Sequence, residues 1–562
     1  MAVMSQLPVS LQLSPTCYTM TEAPLFAYGA AALLGVISHI AYFNRSEHHL
    51  YATRYMQLLL LTYSLGAFLL TRLNDQPLPS ALSSMALLTT SYLTGLYASL
   101  LTYRAFLHPL NKFPGPLAAR LTSLWLPLHT QRSQAYKTVH RLHQQHGAFV
   151  RVGSNELSIA HPDAIPLIYG FGSRCTKGDW YDSDKPLTSM HTSRDRAYHD
   201  ARRRVWGAAF NDKAVRGYET RVQRFSASLV RQLGAFGGGA VDVSAWFNYL
   251  SYDVMGDLAF GKSFGMLERG EEHFAVNLLN EGMQPFALML PAWAFRLLAA
   301  VPGAAAGYWK FIKYCSDQLD ERMKTKPEDP DIMSALVEPL KEKQLTELEL
   351  KMLQADSRLV IVAGSDTTAA TLTHIFYHLA AQPAHQARLL AELRPHLQPD
   401  GSLHHRDLQD LPHLNGVINE ALRLHPAVPT ALQRLTPPEG LTVAGTHIPG
   451  NAVVWCPAYA IGRSVEAYVE PEAFLPERWY DEGKKGWVRN EKAFAPFSTG
   501  VYGCVGRPLA MMELRLVVAK VVAAFEVGFA EGETGEDLLE GSRDHFTFEC
   551  GRLRLSFKER CG

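Results

Sequence analysis

Three apolar runs open the chain before any amphipathic pattern begins. Leu25 to Phe43, Tyr55 to Leu70 and Ala81 to Leu101 contain no Lys, Arg, Asp or Glu. The first is about the ~20 residues a helix needs to cross a bilayer; the second is slightly short. No Lys or Arg precedes Arg45, so the first run lacks the basic flank of a cleaved signal peptide. A stretch rich in proline and glycine, His108 to Pro116, then blocks helix continuation and predicts a stiff, extended connector. Beyond it, Phe149–Val152 and Leu157–Ala160 alternate about Gly153-Ser154-Asn155, the pattern of a β-hairpin. Helical periodicity dominates from there, with helices expected at His199–Phe210, Thr346–Gln382 and Pro412–Leu424. Thr346-Glu347-Leu348-Glu349 has the form of a capping box, and prolines close the second and third helices. Leu441–Pro449 reads as a short hairpin and Ala452–Trp455 as a further strand. These elements predict a mainly α domain with small β-sheets over residues 117–562, a hinge at 108–116 and a membrane region at 1–107.

Charge and composition narrow the field. Acidic and basic residues balance at 54 each, so no bulk field favours nucleic acid. The seven cysteines are scattered without a C-x-x-C pair, which argues against a disulfide framework or structural zinc and suits a reducing compartment. The loops between apolar runs carry Arg45 and Arg54, then Arg72 and Asp75, then Arg104, Lys112 and Arg120. Three spans with a luminal N-terminus would place the first and last groups in the cytosol, as basic loops prefer.

Two stretches carry chemistry. Phe497-Ser498-Thr499-Gly500-Val501-Tyr502-Gly503-Cys504-Val505-Gly506 places one cysteine in a glycine-rich loop before a helical run. Glycines there let the backbone approach a planar group, and turn N–H groups can face the sulfur and favour thiolate. Within the Thr346–Gln382 helix, Ala363-Gly364-Ser365-Asp366-Thr367-Thr368 is a poor helix former, glycine alone costing about 1 kcal/mol relative to alanine. A threonine hydroxyl at such a place can bond the carbonyl one turn earlier. Small residues at 363 and 364 leave room for a flat cofactor. Glu420 and Arg423 stand three apart on one helical face.

Together these stretches resemble the cytochrome P-450 family of haem-thiolate monooxygenases, and fungal members most. The cysteine loop matches F-x-x-G-x-x-x-C-x-G, the helix matches A-G-x-D-T-T, and Glu420-Ala421-Leu422-Arg423 matches E-x-x-R. Pro476-Glu477-Arg478-Trp479 matches P-E-R-F with Trp for Phe. The proline-rich stretch resembles the family's hinge, and the resemblance runs from there nearly to the C-terminus. It implies the cytochrome P-450 fold behind N-terminal transmembrane helices, although the family leads one to expect a single anchor. Haem b would be held by Cys504 as axial ligand, in a loop shaped by Phe497, Gly500 and Gly506. Asp366 and Thr367 would supply protons during dioxygen activation. Glu420, Arg423 and Arg478 would form a buried structural network. Arg203 and Arg434 would bind the haem propionates, with His199 standing where tryptophan is usual. Arg202 and Arg204 would face outward as a basic patch for an acidic flavoprotein. Tyr502 occupies a position that often holds Arg or His. Ser251–Leu267 resembles a stretch common in fungal members, with a packing role.

The implied reaction inserts one oxygen atom of O2 into a lipophilic small molecule, by hydroxylation or epoxidation in fungal secondary metabolism. Electrons would come from NADPH through NADPH-cytochrome P-450 reductase, with cytochrome b5 as a further partner, at the endoplasmic reticulum membrane with the catalytic domain in the cytosol. A haem-thiolate isomerase or peroxide-using enzyme is the alternative that Asp366 and Thr367 oppose. A catalytically silent haem-binding membrane protein is the other. Asn44-Arg45-Ser46 is a glycosylation sequon. In the three-span topology it faces the cytosol, so glycosidase treatment of microsomal protein should reveal no sugar lost on Asn44→Gln substitution; glycan at Asn44 would contradict that topology.

Overall fold

A computed structural model describes residues 25–560, apart from 131, 280–288, 326, 328, 341–345, 400 and 431. Cys17 and Cys561 lie outside the described residues. The chain divides into two compact units, one ending at Tyr103 and one running from Arg104, four residues before the expected hinge.

In the first unit each apolar run is a helix: α1 (Leu25–Ser38, extended to Phe43 by a wider π turn), α2 (Ala52–Leu73) and α3 (Leu78–Thr102). Glycine decides how α1 and α3 meet. A Cβ on Gly35 would lie 2.1 Å from the Tyr92 carbonyl oxygen, and one on Gly95 1.9 Å from that of Ala32. The backbones therefore touch where any side chain would force them apart, the small-residue contact that suits helices in lipid. His39 Nδ1 and Ser99 Oγ, 2.8 Å apart, add a polar tie. Leu25–Phe43 and His49–Leu73 are long and apolar enough to cross a membrane; α3, richer in Ser and Thr, does not reach that hydropathy.

In the second unit the expected hairpin forms β1 (Phe149–Gly153) and β2 (Glu156–Ile159). They begin a five-stranded sheet that continues through Val453–Trp455, Arg434–Leu435 and Thr176–Lys177. The last pairing sets Lys177 directly opposite Arg434. The proline-rich stretch is not a free extended connector. Leu110 and Phe113 are buried in one apolar cluster with Leu157 and Ile159, and Arg151 N–H of β1 donates to Pro114 O at 2.8 Å. Its prolines leave carbonyls without competing N–H groups, and the sheet edge takes one of them.

Helices supply the main core. The long helix Glu347–Ala381 starts at the capping box, with Thr346 Oγ1 accepting from Glu349 N and Glu349 bonding back. It runs through Gly364 and the threonines without a break because tertiary contact overrides propensity. A Cβ on Gly364 would meet Met255 Sδ at 2.5 Å, so that glycine admits the helix Val243–Phe260 rather than a cofactor alone. Ser251–Leu267 does have its packing role. Buried Asp253 accepts from Ser263 Oγ, Met266 N and Leu267 N and folds the chain back after Gly261, which takes a left-handed φ of 69°.

The Pro412–Leu424 helix carries the internal brace. Glu420 Oε2 and Oε1 accept from Arg423 Nε and Nη2 at 2.9 and 2.7 Å, and Arg478 Nε reaches Oε1 at 2.8 Å. All three side chains are fully buried. Trp479, in the place of the family's Phe, adds an indole N–H to Glu420 Oε2 at 2.9 Å. Five donors, including Leu475 N, thus saturate one carboxylate. Such a network stabilises only when complete, since removing a member strands buried charge. Urea unfolding of detergent-solubilised protein should show Glu420→Ala destabilised by about 3–5 kcal/mol. Trp479→Phe, which removes one hydrogen bond to a charged group, should cost about 1.5–3 kcal/mol. Equal stability of Glu420→Ala and wild type would refute the brace.

Candidate active site

A cavity of about 390 Å³ lies between the long helix and the cysteine loop, with walls from Thr367 and Ala363 on one side and Cys504 and Gly506 on the other. The loop owes its shape to two left-handed residues, Ser498 (φ 56°) and Gly500 (φ 70°). A Cβ on Gly500 would approach Tyr169 O to 2.2 Å, so only glycine fits. Cys504 N–H donates to Phe497 O at 2.8 Å and closes the turn. The helix Arg507–Ala524 follows at once, with Pro508 in its first turn, where a missing N–H costs nothing. Gly506 has φ −80° and meets only Cys504 Sγ and Phe210 at 3.8 Å, so protein packing does not demand it; its bareness keeps the space beside the sulfur open.

Cys504 is exposed, and the space it faces is this cavity, with protein packed around the loop behind it. Burial raises its pKa, while the N–H groups of Gly506 and Arg507 and the Arg203 guanidinium oppose that rise. Those donors would stabilise the thiolate form that binds a metal cation.

One edge of the cavity concentrates positive charge. Arg203, on the helix Arg196–Ala209, donates to Gly503 O at 2.6 Å. Buried Arg434 donates to Tyr181 OH at 3.0 Å and to Gln433 O at 2.9 Å, and its Nε has no partner. Lys177, its strand neighbour, donates to the carbonyls of Met190 and His191 at 3.2 and 2.6 Å. Burial, with Arg434 and Arg203 nearby, pulls the Lys177 pKa well below its ordinary value. All these hydrogen bonds end on neutral oxygens, and among the described residues no carboxylate pairs with any of the three. A buried cation without an anion costs several kcal/mol. The edge is built for carboxylates that the chain itself does not provide, and those of a haem fit it.

Lys177 was not found from sequence because a lone lysine before a glycine carries no pattern. Only strand pairing brings it beside Arg434. Tyr502 stands among the cations, its ring centre 4.7 Å from Lys177 Nζ and 4.9 Å from the Arg434 guanidinium. It supplies no charge but offers a π face that attracts both. His199 packs edge-on to the same ring at 4.6 Å. Burial lowers the His199 pKa to about 4, so it is neutral, although Asp200 3.0 Å away opposes the shift.

Arg202 does not face outward. Its Nε donates to Asp356 Oδ2 at 3.0 Å, Trp206 Nε1 joins the same oxygen at 3.1 Å, and Asp356 is fully buried. Three consecutive arginines span about 200° of a helix, so they cannot all share its exposed face. Arg204 is the exposed member.

On the opposite wall Thr367 Oγ1 donates to Ala363 O at 2.8 Å, the back-bond expected of it. Asp366 points elsewhere. Its carboxylate accepts from Tyr252 OH at 2.6 Å and Thr547 Oγ1 at 3.3 Å. Burial raises its pKa to about 6, and the two hydroxyl bonds oppose the rise. Consecutive helical residues diverge by about 100°, so acid and alcohol cannot share one direction. Glu420, Arg423 and Arg478 are brought together as expected. Sequence reading also missed Arg358, which reaches from the long helix to Asp184 and, at 2.8 Å, to Tyr308 OH at the cavity wall.

A family model described as Cytochrome P450 matches residues 113–555. Cytochrome P450 monooxygenase notG' of Aspergillus versicolor is 43% identical over 534 residues, covering 95% of this chain and 98% of that protein. Tryprostatin B 6-hydroxylase of Aspergillus fumigatus is 44% identical over 540 residues, covering 94% and 96%. The crystal structure of the cytochrome P450DA heme domain superposes with a TM-score of 0.63 at 18% identity, over 76% of this chain and 93% of that one, which shows a common fold. With a cysteine sulfur facing a cavity whose cationic edge lacks an anion, and with relatives matched over nearly their whole length, the chain belongs to the cytochrome P450 family and is a haem-dependent monooxygenase.

Proposed function

We propose that this monooxygenase hydroxylates a lipophilic, tryprostatin-like small molecule in fungal secondary metabolism. The observation that carries the reading is the presentation of Cys504 Sγ to a largely apolar cavity, together with 44% identity to a tryprostatin B hydroxylase. Haem b bound there supplies the iron centre at which dioxygen is activated for insertion of one oxygen atom. Cys504 would hold the iron through its sulfur, with the Gly506 and Arg507 N–H groups moderating the charge there. Arg203, Lys177 and Arg434 would hold the cofactor's carboxylates, with His199 and Tyr502 packed beside them. Phe497, Gly500 and Gly506 would shape the loop that receives it.

Thr367 faces the first cavity, whose apolar walls otherwise keep bulk water away, and Asp366, behind the same helix, is the acid that serves it with protons. Trp180 and Phe546, stacked at 5.0 Å, offer aromatic surface for orienting a substrate. With Arg202 buried, Arg204 and Arg196 are the exposed arginines of the helix, available to an acidic flavoprotein. We assign NADPH-cytochrome P-450 reductase as electron donor and cytochrome b5 as a second one. The apolar helices α1–α3 anchor the chain in the endoplasmic reticulum membrane, with the catalytic unit in the cytosol.

Microsomes containing the chain and reductase, given NADPH, tryprostatin B and isotope-labelled O2, should yield a product with one labelled oxygen. Cys504→Ala should abolish that turnover. Tyr502→Phe, which keeps the aromatic face, should retain it within about twofold. Equal turnover by Cys504→Ala and wild type would refute the assignment of the ligand.

A further inference from the structure

A second cavity, of about 260 Å³, lies behind the long helix on the side to which Asp366 points. Its walls are polar, including Tyr252, Glu549 and Asn248, and its rim includes Glu272 and Arg552, both exposed. It therefore opens to solvent, while Asp366, Ala369 and Ala370 form its inner end. Asp366 does not line the first cavity and Thr367 does not line the second. Thr547 lines both. Its hydroxyl lies 3.3 Å from Asp366 Oδ2, and the residue is 5% exposed. The turn holding it is fixed by Phe546 N–H to Asp544 Oδ1 at 3.0 Å and by His545 N–H to Thr547 O at 2.9 Å. The direct path from Asp366 to Thr367 is poorly set, because the Thr367 proton is engaged by Ala363 O and the Asp366 carboxyl is held the other way by Tyr252.

We propose that Thr547 is a proton-relay hydroxyl joining the two cavities, with the second cavity as the water entrance that recharges Asp366. The proposal rests on the monooxygenase reading, which requires protons in the first cavity. In the step, the protonated Asp366 carboxyl gives its proton to Thr547 Oγ1 as the Thr547 hydroxyl releases its own to an acceptor in the first cavity. Two hops transfer one proton net, and no electrons move. Water in the second cavity then passes a proton from bulk solvent to the carboxylate, and the hydroxyl rotates back. A pKa near 6 lets Asp366 both hold and release a proton close to neutrality. Tyr252 is a positioning residue that keeps the carboxyl within reach of Thr547.

Thr547→Val keeps the shape and removes the hydroxyl; Thr547→Ser restores it. In holoenzyme with reductase, Thr547→Val should lower product formed per NADPH by about tenfold, with matching peroxide release and a larger solvent isotope effect. Thr547→Ser should stay within about twofold of wild type. A readout independent of turnover is the infrared carboxyl band of Asp366, identified by its loss in Asp366→Asn and followed in D2O at a pH below its pKa of about 6. The band should exchange at the wild-type rate in Thr547→Val, and about tenfold more slowly when Asn248→Trp fills the second cavity. Full coupling in Thr547→Val, or failure of Thr547→Ser to rescue, would overturn the relay. Unslowed exchange in Asn248→Trp would overturn the entrance. Absence of any NADPH-driven product from wild type would instead refute the monooxygenase reading.

Discussion

Lys177, Arg203 and Arg434 converge on the edge of one cavity, and no carboxylate among the described residues neutralises them. Burying cations without partners opposes folding. An anionic group at this edge would offset that cost, and the same cavity exposes Cys504 opposite Thr367. Much of the surrounding architecture follows from that constraint. The five-stranded sheet exists in part to pair Lys177 with Arg434, and the cysteine loop takes its left-handed turns to aim one sulfur.

The Glu420 brace works on a different principle. Its buried charges are satisfied entirely by the protein. The indole nitrogen of Trp479 takes a hydrogen-bonding position there that a phenylalanine would leave to others. The brace and the cationic edge thus differ: one is satisfied within the protein, and among the described residues the other has no carboxylate partner.

Local motifs were the legible part of the sequence. Helix ends at Thr346 and Pro412 and the first hairpin follow from capping, proline and alternation, and each appears where the residues put it. The Glu420 triad was legible only through the family resemblance, since spacing alone relates Glu420 to Arg423 and says nothing of Arg478. What the sequence hid depends on direction and pairing. Lys177 matters only through its partner across the sheet. Arg202 looked like surface because three adjacent arginines give no hint of which faces Asp356. Asp366 and Thr367 look like one unit in sequence, yet the helix turns them into different cavities. The proline-rich stretch read as a spacer because its carbonyl acceptor, used by β1, is invisible until the strand is placed.

Cys504 would present a thiolate to the iron of a haem held in this cavity. The optical spectrum of the detergent-solubilised holoprotein, reduced and exposed to carbon monoxide, tests that ligation. Thiolate ligation should give a strongly red-shifted Soret band. An unshifted band, typical of nitrogen or neutral-thiol ligation, would rule it out.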